Sequence, residues 1–277
     1  VTTLGIDIGA SKVRYVLLQN DRRARENEFK ILPRTRGTLQ KIIQEIANEI
    51  KKLPPAQKVG VGVPGTIHQG ILEYVPNFPA LKDWKLQPEI ERIFGVPAVL
   101  INDAKAFTYA EAQLGAAQGL QNFIGLTLGS GLGGGLYLNR TLYAGKGAAG
   151  EVGHEIIDLP NKKEAEEFAS AKFFQRIGEN PQILRERAAA GDRKANQIFR
   201  DFGKNLGIVV ANLVNLLDPE AVVLGGGIAE ASNFFIRETQ ETAARFIRNP
   251  SSKSTPILRS ALGPPAGAIG AALLARL

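Results

Sequence analysis

The chain has 277 residues, 44% of them hydrophobic, which is enough to bury two lobes. The absence of cysteine excludes disulfides, thiol catalysis and cysteine-ligated metal sites, and is compatible with a reducing cytosol. A net charge of +7 favours anionic ligands such as nucleotides, and with no signal peptide or bilayer-spanning apolar run the expectation is a cytoplasmic protein, bound to neither membrane nor nucleic acid.

Strands and helices alternate, the pattern of an α/β fold. Residues 4–7 and 13–18 read as strands about a glycine-containing turn, and Arg22-Arg23-Ala24-Arg25 after them as a solvated turn. Residues 38–52 place Leu39, Ile42, Ile43, Ile46, Ala47 and Ile50 on one helical face. Residues 59–63 form a β-branched strand closed by Pro64-Gly65; 99–101 is another buried strand, followed by a helix over 104–118. Residues 123–128 and 134–138 pair around a glycine-dense loop. Helices are predicted over 164–177, 194–217 and 232–248, with a strand at 221–224 and a closing helix of small residues at 266–277. Strand, glycine turn and strand near residue 7 recur near residue 131, which two related lobes with a cleft between them explain.

The first turn, Asp7-Ile8-Gly9-Ala10-Ser11-Lys12, puts small residues where a backbone can approach a phosphate, with amides and Lys12 as donors. Asp7 suits a magnesium ion held through water, because Mg²⁺ favours few carboxylates plus phosphate oxygens. An ordinary hairpin turn fits this segment equally well. Gly129-Ser130-Gly131-Leu132-Gly133-Gly134 matches the letter of G-x-G-x-x-G, but it runs into strand-like Leu136-Tyr137-Leu138 instead of a helix. A dinucleotide-binding turn therefore fits this loop less well than a hairpin does, and the missing G-x-x-x-x-G-K-[ST] run excludes a P-loop enzyme. A glycine loop inside a hairpin suits backbone amides facing terminal phosphates. Gly225-Gly226-Gly227 ends a strand and allows either flat contact with adenosine or a tight connection.

Asp103 follows a buried strand, where a carboxylate suits a general base for a hydroxyl nucleophile or a helix N-cap. His68 lies in a polar turn and reads as structural; His154 shares a short stretch with Glu151 and reads as a hydrogen-bonding group, with too few ligands around it for a metal.

These motifs together resemble the hexokinase–actin ATPase superfamily, and more narrowly the ROK family of sugar kinases and sugar-responsive repressors. The similarity runs from Gly5-Ile6-Asp7-Ile8-Gly9 through Gly60-Val61-Gly62-Val63-Pro64-Gly65, Asn102-Asp103-Ala104 and residues 128–135. It continues through Gly150-Glu151-Val152-Gly153-His154 and Leu224-Gly225-Gly226-Gly227 to Ala266-Gly267-Ala268-Ile269-Gly270. The resemblance implies a two-lobed actin-like ATPase fold of ribonuclease H-like lobes, here expected as 1–104 plus 262–277 and 105–261. It implies an ATP- and Mg²⁺-dependent hexose kinase that phosphorylates a sugar 6-hydroxyl, with glucose the first expectation. Asp103 would be the base; Gly65, Asn77, Asn102, Glu151, His154 and Glu166 would bind the sugar. Asp7, Gly9, Ala10, Ser11, Lys12, Gly129, Ser130, Gly131 and Gly133 would handle phosphates and Mg²⁺, and Gly226 and Gly227 would border the adenosine. A homodimer is the family habit.

Two departures stand out. Members commonly carry a C-x-C-G-x-x-G-C segment that binds zinc together with the histidine; residues 155–165 are shorter and contain no cysteine, so no structural zinc is expected. Ala10-Ser11 replaces the usual Gly-Thr. The resemblance leaves N-acetylmannosamine or another hexose as acceptor and polyphosphate as donor among the alternatives. The non-enzymatic one is a ROK-type sugar-sensing regulator without a DNA-binding domain: a repressor would carry a helix-turn-helix before the first strand, which here is expected to start at Leu4.

Overall fold

The computed structural model of the chain describes residues 1–68, 70–75 and 78–277, and these divide into two compact units. Unit 1 comprises Val1–Leu114, Ala144–Ala149 and Pro264–Leu277; unit 2 comprises Gly115–Tyr143 and Gly150–Gly263. In chain order the elements are β1 (Thr2–Ile8), β2 (Lys12–Gln19), β3 (Arg22–Lys30), α1 (Arg36–Ile50), β4 (Lys58–Val63), β5 (Thr66–His68), β6 (Ile71–Tyr74), α2 (Leu86–Phe94), β7 (Ala98–Asn102) and α3 (Asp103–Leu114). They continue with β8 (Phe123–Leu128), β9 (Leu132–Leu138), β10 (Thr141–Tyr143), β11 (Ile156–Asp158), β12 (Lys163–Glu164), α4 (Glu166–Ala169), α5 (Ala171–Arg176), α6 (Pro181–Ala189), α7 (Arg193–Leu217), β13 (Ala221–Gly225), α8 (Ile236–Phe246), β14 (Ile257–Arg259) and α9 (Ala266–Leu274).

The main sheet of unit 1 has the order β3-β2-β1-β4-β7, antiparallel from β3 to β1 and parallel from β1 to β7. Leu4, Ile6 and Ile8 of β1 and Val59, Val61 and Val63 of β4 are buried in a core with Leu39, Ile42, Ile43 and Ile46 of α1. That period-2 pattern against a helical stripe makes burial the main stabilising term. Thr35 caps α1 by accepting from the Thr38 amide at 3.1 Å. α9 packs so closely on the sheet that a Cβ at Gly5 would lie 1.8 Å from the Ala268 carbonyl oxygen, and one at Gly60 would lie 1.9 Å from that of Ala271.

Arg22, Arg23 and Arg25 do not form a turn: they belong to β3, the edge of the sheet. Its exposed face pairs Arg23 with Glu26 and Arg25 with Glu49, and charged edges of this kind discourage pairing with other chains. The boundary expected after Ala104 also differs from the packing, which keeps all of α3 in unit 1 against α9.

Unit 2 repeats the plan. Its main sheet has the order β10-β9-β8-β13-β14, again a hairpin followed by parallel strands. Its core joins Leu126, Leu128, Val222 and Leu224 to the buried face of α7 and to Phe173, Phe174, Phe199, Phe202 and Phe235. The Phe174 and Phe202 rings lie 5.0 Å apart, and those of Phe202 and Phe235 5.1 Å. Asp192 caps α7 through the Lys194 and Ala195 amides. The helix expected over 164–177 is instead β12, α4 and α5: Ser170 is extended, donates its hydroxyl to the Glu166 carbonyl and caps α5 through the Lys172 amide. The helix expected over 232–248 begins at Ile236, after a 3₁₀ segment over Ile228–Phe234.

Candidate active site

In unit 1 the carboxyl ends of the parallel strands gather the acidic residues, the edge where open α/β sheets present ligand sites. β4 pairs with β1 and β7 in a register that places Gly62 opposite Asp7 and Ile101. A Cβ at Gly62 would lie 3.4 Å from Asp7 Oδ1 and 3.8 Å from the Asp103 Cα, so this glycine keeps the space beside both acids open. Among the described residues no hydrogen bond or ion pair engages the Asp7 carboxylate. Burial pushes its pKa up to about 6, against a smaller lowering by Arg14.

Asn102 ends β7 and does two jobs. Its Oδ1 accepts from the Lys105 amide at 3.1 Å, the N-capping pattern for α3, and its Nδ2 donates to the Gly65 carbonyl at 3.1 Å. Gly65 has φ +88°, which a residue with a Cβ adopts only with strain. With the cap supplied by Asn102, the half-buried Asp103 is the first helical residue, and its Oδ1 accepts from the Ala104 amide at 2.8 Å.

The turn between β1 and β2 is closed by the Gly9 amide donating to the Lys12 carbonyl at 2.9 Å; the Ala10 and Ser11 amides make no hydrogen bond among the described residues. The turn between β8 and β9 in unit 2 is closed by Gly129 donating to Gly131 at 3.0 Å, and the Ser130 and Gly131 amides are left in the same condition. The two turns differ in length, one closing from Gly9 to Lys12 and the other from Gly129 to Gly131, and each offers a pair of adjacent N–H groups, the arrangement that binds anions. Two donors of the expected set are already engaged. Lys12 Nζ lies 2.5 Å from Glu28 Oε1, with Arg14 on the other oxygen at 2.6 Å. Burial works to raise the Glu28 carboxyl, and those two cations outweigh it and hold it low. Gly133 lies within β9. Gly226 has φ +84°, and a Cβ there would lie 2.4 Å from the Leu128 carbonyl, so the turn after β13 sits against the end of β8; nothing lies within 4 Å of such an atom at Gly227.

The second cluster of unit 2 lies on the 3₁₀ turn Val152–His154 and on α4. His154 Nδ1 is 2.9 Å from Glu164 Oε2, and its Nε2 is 4.0 Å from Glu151 Oε2. A Cβ at Gly153 would lie 2.4 Å from the Leu132 carbonyl, so the turn abuts the glycine loop. Glu166 is 5% exposed; its Oε2 accepts from the Leu132 amide at 3.0 Å and its Oε1 meets Lys172 Nζ at 2.6 Å. Burial alone would lower the Lys172 pKa, but the hydrogen bond and attraction to Glu166, aided by Glu167 and Glu164, leave it raised. Glu155 accepts from Asn212 at 3.1 Å through Oε1, while its buried Oε2 meets no partner among the described residues, and burial raises this carboxyl.

Unit 1 therefore carries Asp7, Gly9, Ala10, Ser11, Lys12, Gly65, Asn102 and Asp103; unit 2 carries Gly129, Ser130, Gly131, Gly133, Glu151, His154, Glu166, Gly226 and Gly227. Asn77 lies outside the described residues. Sequence reasoning missed Glu28, Glu164 and Lys172, because each acts through a partner on another element and none stands in a glycine motif. Among the described residues no cluster of three or more His, Asp or Glu could hold a metal ion, and no helix is long and apolar enough to cross a membrane.

A model of the ROK family matches residues 3–277. The chain is 29% identical to a glucokinase of Thermotoga maritima over 97% of its own length and 95% of that protein's. It is 27% identical to an N-acetylmannosamine kinase of Haemophilus influenzae, over 97% and 93%. Among solved structures, a ROK family glucokinase from Streptomyces griseus in complex with glucose and AMPPNP superposes with a TM-score of 0.90 at 26% identity, over 100% of this chain and 99% of that one. The two-unit α/β architecture with its duplicated hairpin sheets is the actin-like ATPase fold.

Proposed function

The chain belongs to the ROK family and is a sugar kinase, and from that premise we propose that it transfers the γ-phosphoryl group of ATP to the 6-hydroxyl of a hexose, glucose first. The observation that carries the nucleotide part is the pair of glycine turns, each with two adjacent amides that meet no acceptor among the described residues. In this reading Ala10 and Ser11, and Ser130 and Gly131, donate to phosphate oxygens, with Lys12 adding charge and Gly226 and Gly227 bordering the adenosine. Asp103 accepts the proton of the 6-hydroxyl as the new O–P bond forms and the bond to the ADP oxygen breaks, and later releases it to water. Asn102, Gly65, Asn77, Glu151 and His154 hold the ring, and the carboxylate of Glu166 completes the set while steadying the glycine loop.

Asp7 fits a magnesium ion held through water: it is a buried carboxylate that no donor among the described residues satisfies, and phosphate oxygens would supply the remaining ligands. A bound Mg²⁺ supplies charge neutralisation on the phosphates. The protein's contribution is positioning and directed hydrogen bonding, the main terms in phosphoryl transfer.

Glucose as acceptor draws support from the Thermotoga and Streptomyces glucokinases, and N-acetylmannosamine as a second acceptor from the Haemophilus relative. The test is a coupled ADP-release assay with Mg-ATP across hexoses and N-acetylhexosamines, with polyphosphate as donor in parallel. Turnover on glucose above all other sugars is the expected result. Preference for an N-acetylhexosamine replaces the acceptor, preference for polyphosphate replaces the donor, and sugar binding without turnover removes the kinase reading in favour of a sensor. A homodimer and a cytoplasmic location belong to the same reading.

A further inference from the structure

A row of charges crosses the main sheet of unit 1 beside the first glycine turn. Glu28 of β3 lies opposite Arg14 of β2, Arg14 opposite Asp7 of β1, and Asp7 opposite Gly62 of β4. Residues paired in this way present their side chains on one face of a sheet, on strands about 4.8 Å apart. The Arg14 guanidinium thus stands between two carboxylates, and it has gone to one of them. Its Nη2 meets Glu28 Oε2 at 2.6 Å, whereas among the described residues no ion pair joins it to Asp7. We propose that Glu28 is a positioning residue that holds Arg14 away from Asp7 and so leaves the Asp7 carboxylate open to a divalent cation. The consequence rests on the magnesium reading of Asp7; the charge row itself does not.

The surroundings of Glu28 explain why it keeps the arginine. Its other oxygen, Oε1, is 2.5 Å from Lys12 Nζ, so one carboxylate bridges two cations. Lys30 lies directly across from Lys12 and adds a third positive charge to the same patch. The side chains of Arg14 and Glu28 are 26% and 36% exposed, so the guanidinium keeps part of its hydration in this pair. Turning to Asp7 would strip more of it away, at a carboxylate whose own burial is already its dominant influence.

Without the Glu28 carboxylate the balance changes. Arg14 then has one carboxylate left in its row, and pairing with Asp7 gives an unpartnered charge its counter-ion. A guanidinium there fills acceptor positions that a hydrated magnesium ion would use, and it cancels the charge that attracts the ion. Lys12 is released at the same time, so the loss falls on the metal and not on the phosphates. The edge strand, which carries no glycine motif, acts on the cation through Arg14.

The test needs no turnover. Binding of AMPPNP to the full chain is titrated calorimetrically with and without Mg²⁺, in the wild type, Glu28→Gln, Arg14→Gln and the double variant. Mg²⁺ is expected to tighten binding about 10-fold or more in the wild type and about twofold or less in Glu28→Gln, while metal-free binding does not weaken. Arg14→Gln alone keeps the wild-type gain, and its addition to Glu28→Gln restores it, because the competitor for Asp7 is gone. A merely structural role for Glu28 predicts the reverse, since the double variant lacks both partners. Melting temperatures of the metal- and nucleotide-free chain at pH 8 give a second measure. Asp7→Asn is expected to raise the Tm of the wild type and to lower it in the Glu28→Gln background, where the asparagine breaks the new pair. An unchanged magnesium gain in Glu28→Gln overturns the proposal, as does an Asp7→Asn shift of the same sign and size in both backgrounds. A chain whose nucleotide binding ignores Mg²⁺ in every variant, yet reverses the Asp7→Asn shift, defeats the magnesium reading and keeps the hold of Glu28 on Arg14.

Discussion

Gly270 of α9 and Ala106 of α3 meet backbone to backbone: a Cβ on the glycine would lie 1.7 Å from the Ala106 carbonyl oxygen. Both helices belong to unit 1, and α3 begins at Asp103, so this contact fixes the helix that carries the proposed base. Gly270→Ala forces α9 and α3 apart and is expected to destabilise the protein by about 3 kcal/mol or more, at the upper end for overpacked interiors. Urea unfolding checks it; an unchanged midpoint would show that the helices separate at no cost.

Asp103→Asn keeps the side-chain oxygen that accepts from the Ala104 amide, and Asn102 still caps α3. Sugar binding is expected to survive while kcat falls by about 10²- to 10⁴-fold, the range for a lost general base. Calorimetric sugar titration and steady-state kinetics separate the two effects. Turnover near the wild-type value would take the base role from Asp103.

Asp7→Asn trades activity for stability. The folded pKa is about 6 against an ordinary 3.8, so the unfolded chain gives up this proton first as pH rises. Stability from this group is therefore complete below about pH 4, declines as pH climbs through 6, and stays low above it. The asparagine variant escapes that decline. Its Tm is expected to exceed the wild type's at pH 8 and to approach it at pH 4, while Mg-ATP-dependent turnover falls at least about 100-fold. Differential scanning fluorimetry across that range is the measurement, and a Tm difference independent of pH would refute the electrostatic account.

Lys172→Met leaves the buried Glu166 carboxylate without its cation while the Leu132 amide still donates to it. Lys172 is itself about one-third exposed, so solvent discounts the pair, and a loss of about 1–3 kcal/mol at pH 7 is expected. Because the lysine's pKa is raised in the fold, its contribution is complete below the ordinary value of 10.5 and vanishes as pH rises through the folded one. The gap between variant and wild type should therefore close in strongly alkaline buffer. Since Glu166 steadies the glycine loop, KM for the nucleotide should rise as well.

Much of this was readable in the residues themselves. The alternation in β1 and β4, the apolar stripe of α1 and the glycine turns after residues 8 and 128 each state their structure locally, and their recurrence announces the duplicated plan. What hid was set by distant partners. β3 is an edge and polar apart from Ala24 and Phe29, so composition alone reads its start, Arg22-Arg23-Ala24-Arg25, as a turn. Residues 164–177 have helical periodicity, yet Ser170 breaks the run by bonding to Glu166 and Lys172, while Ala171 donates to Gly129, a residue forty-two positions earlier. In the candidate site, Asp103 and His154 were visible as residue types in suggestive places. That Asn102 does the capping, and that Glu164 takes one nitrogen of the imidazole, depends on geometry no local pattern encodes.

The tight seat that Gly5 and Gly60 provide for α9 bears on how the chain is made. Unit 1 draws its residues from three separate stretches, and the helix that covers one face of its sheet follows the whole of unit 2 in sequence. During translation the strands of unit 1 emerge first and then wait, one face bare, while more than a hundred further residues are added. Unit 2 has all its own strands and helices in hand before α9 leaves the ribosome. The half of the protein synthesised first is thus the half completed last, and its nascent sheet is where a chaperone would find work.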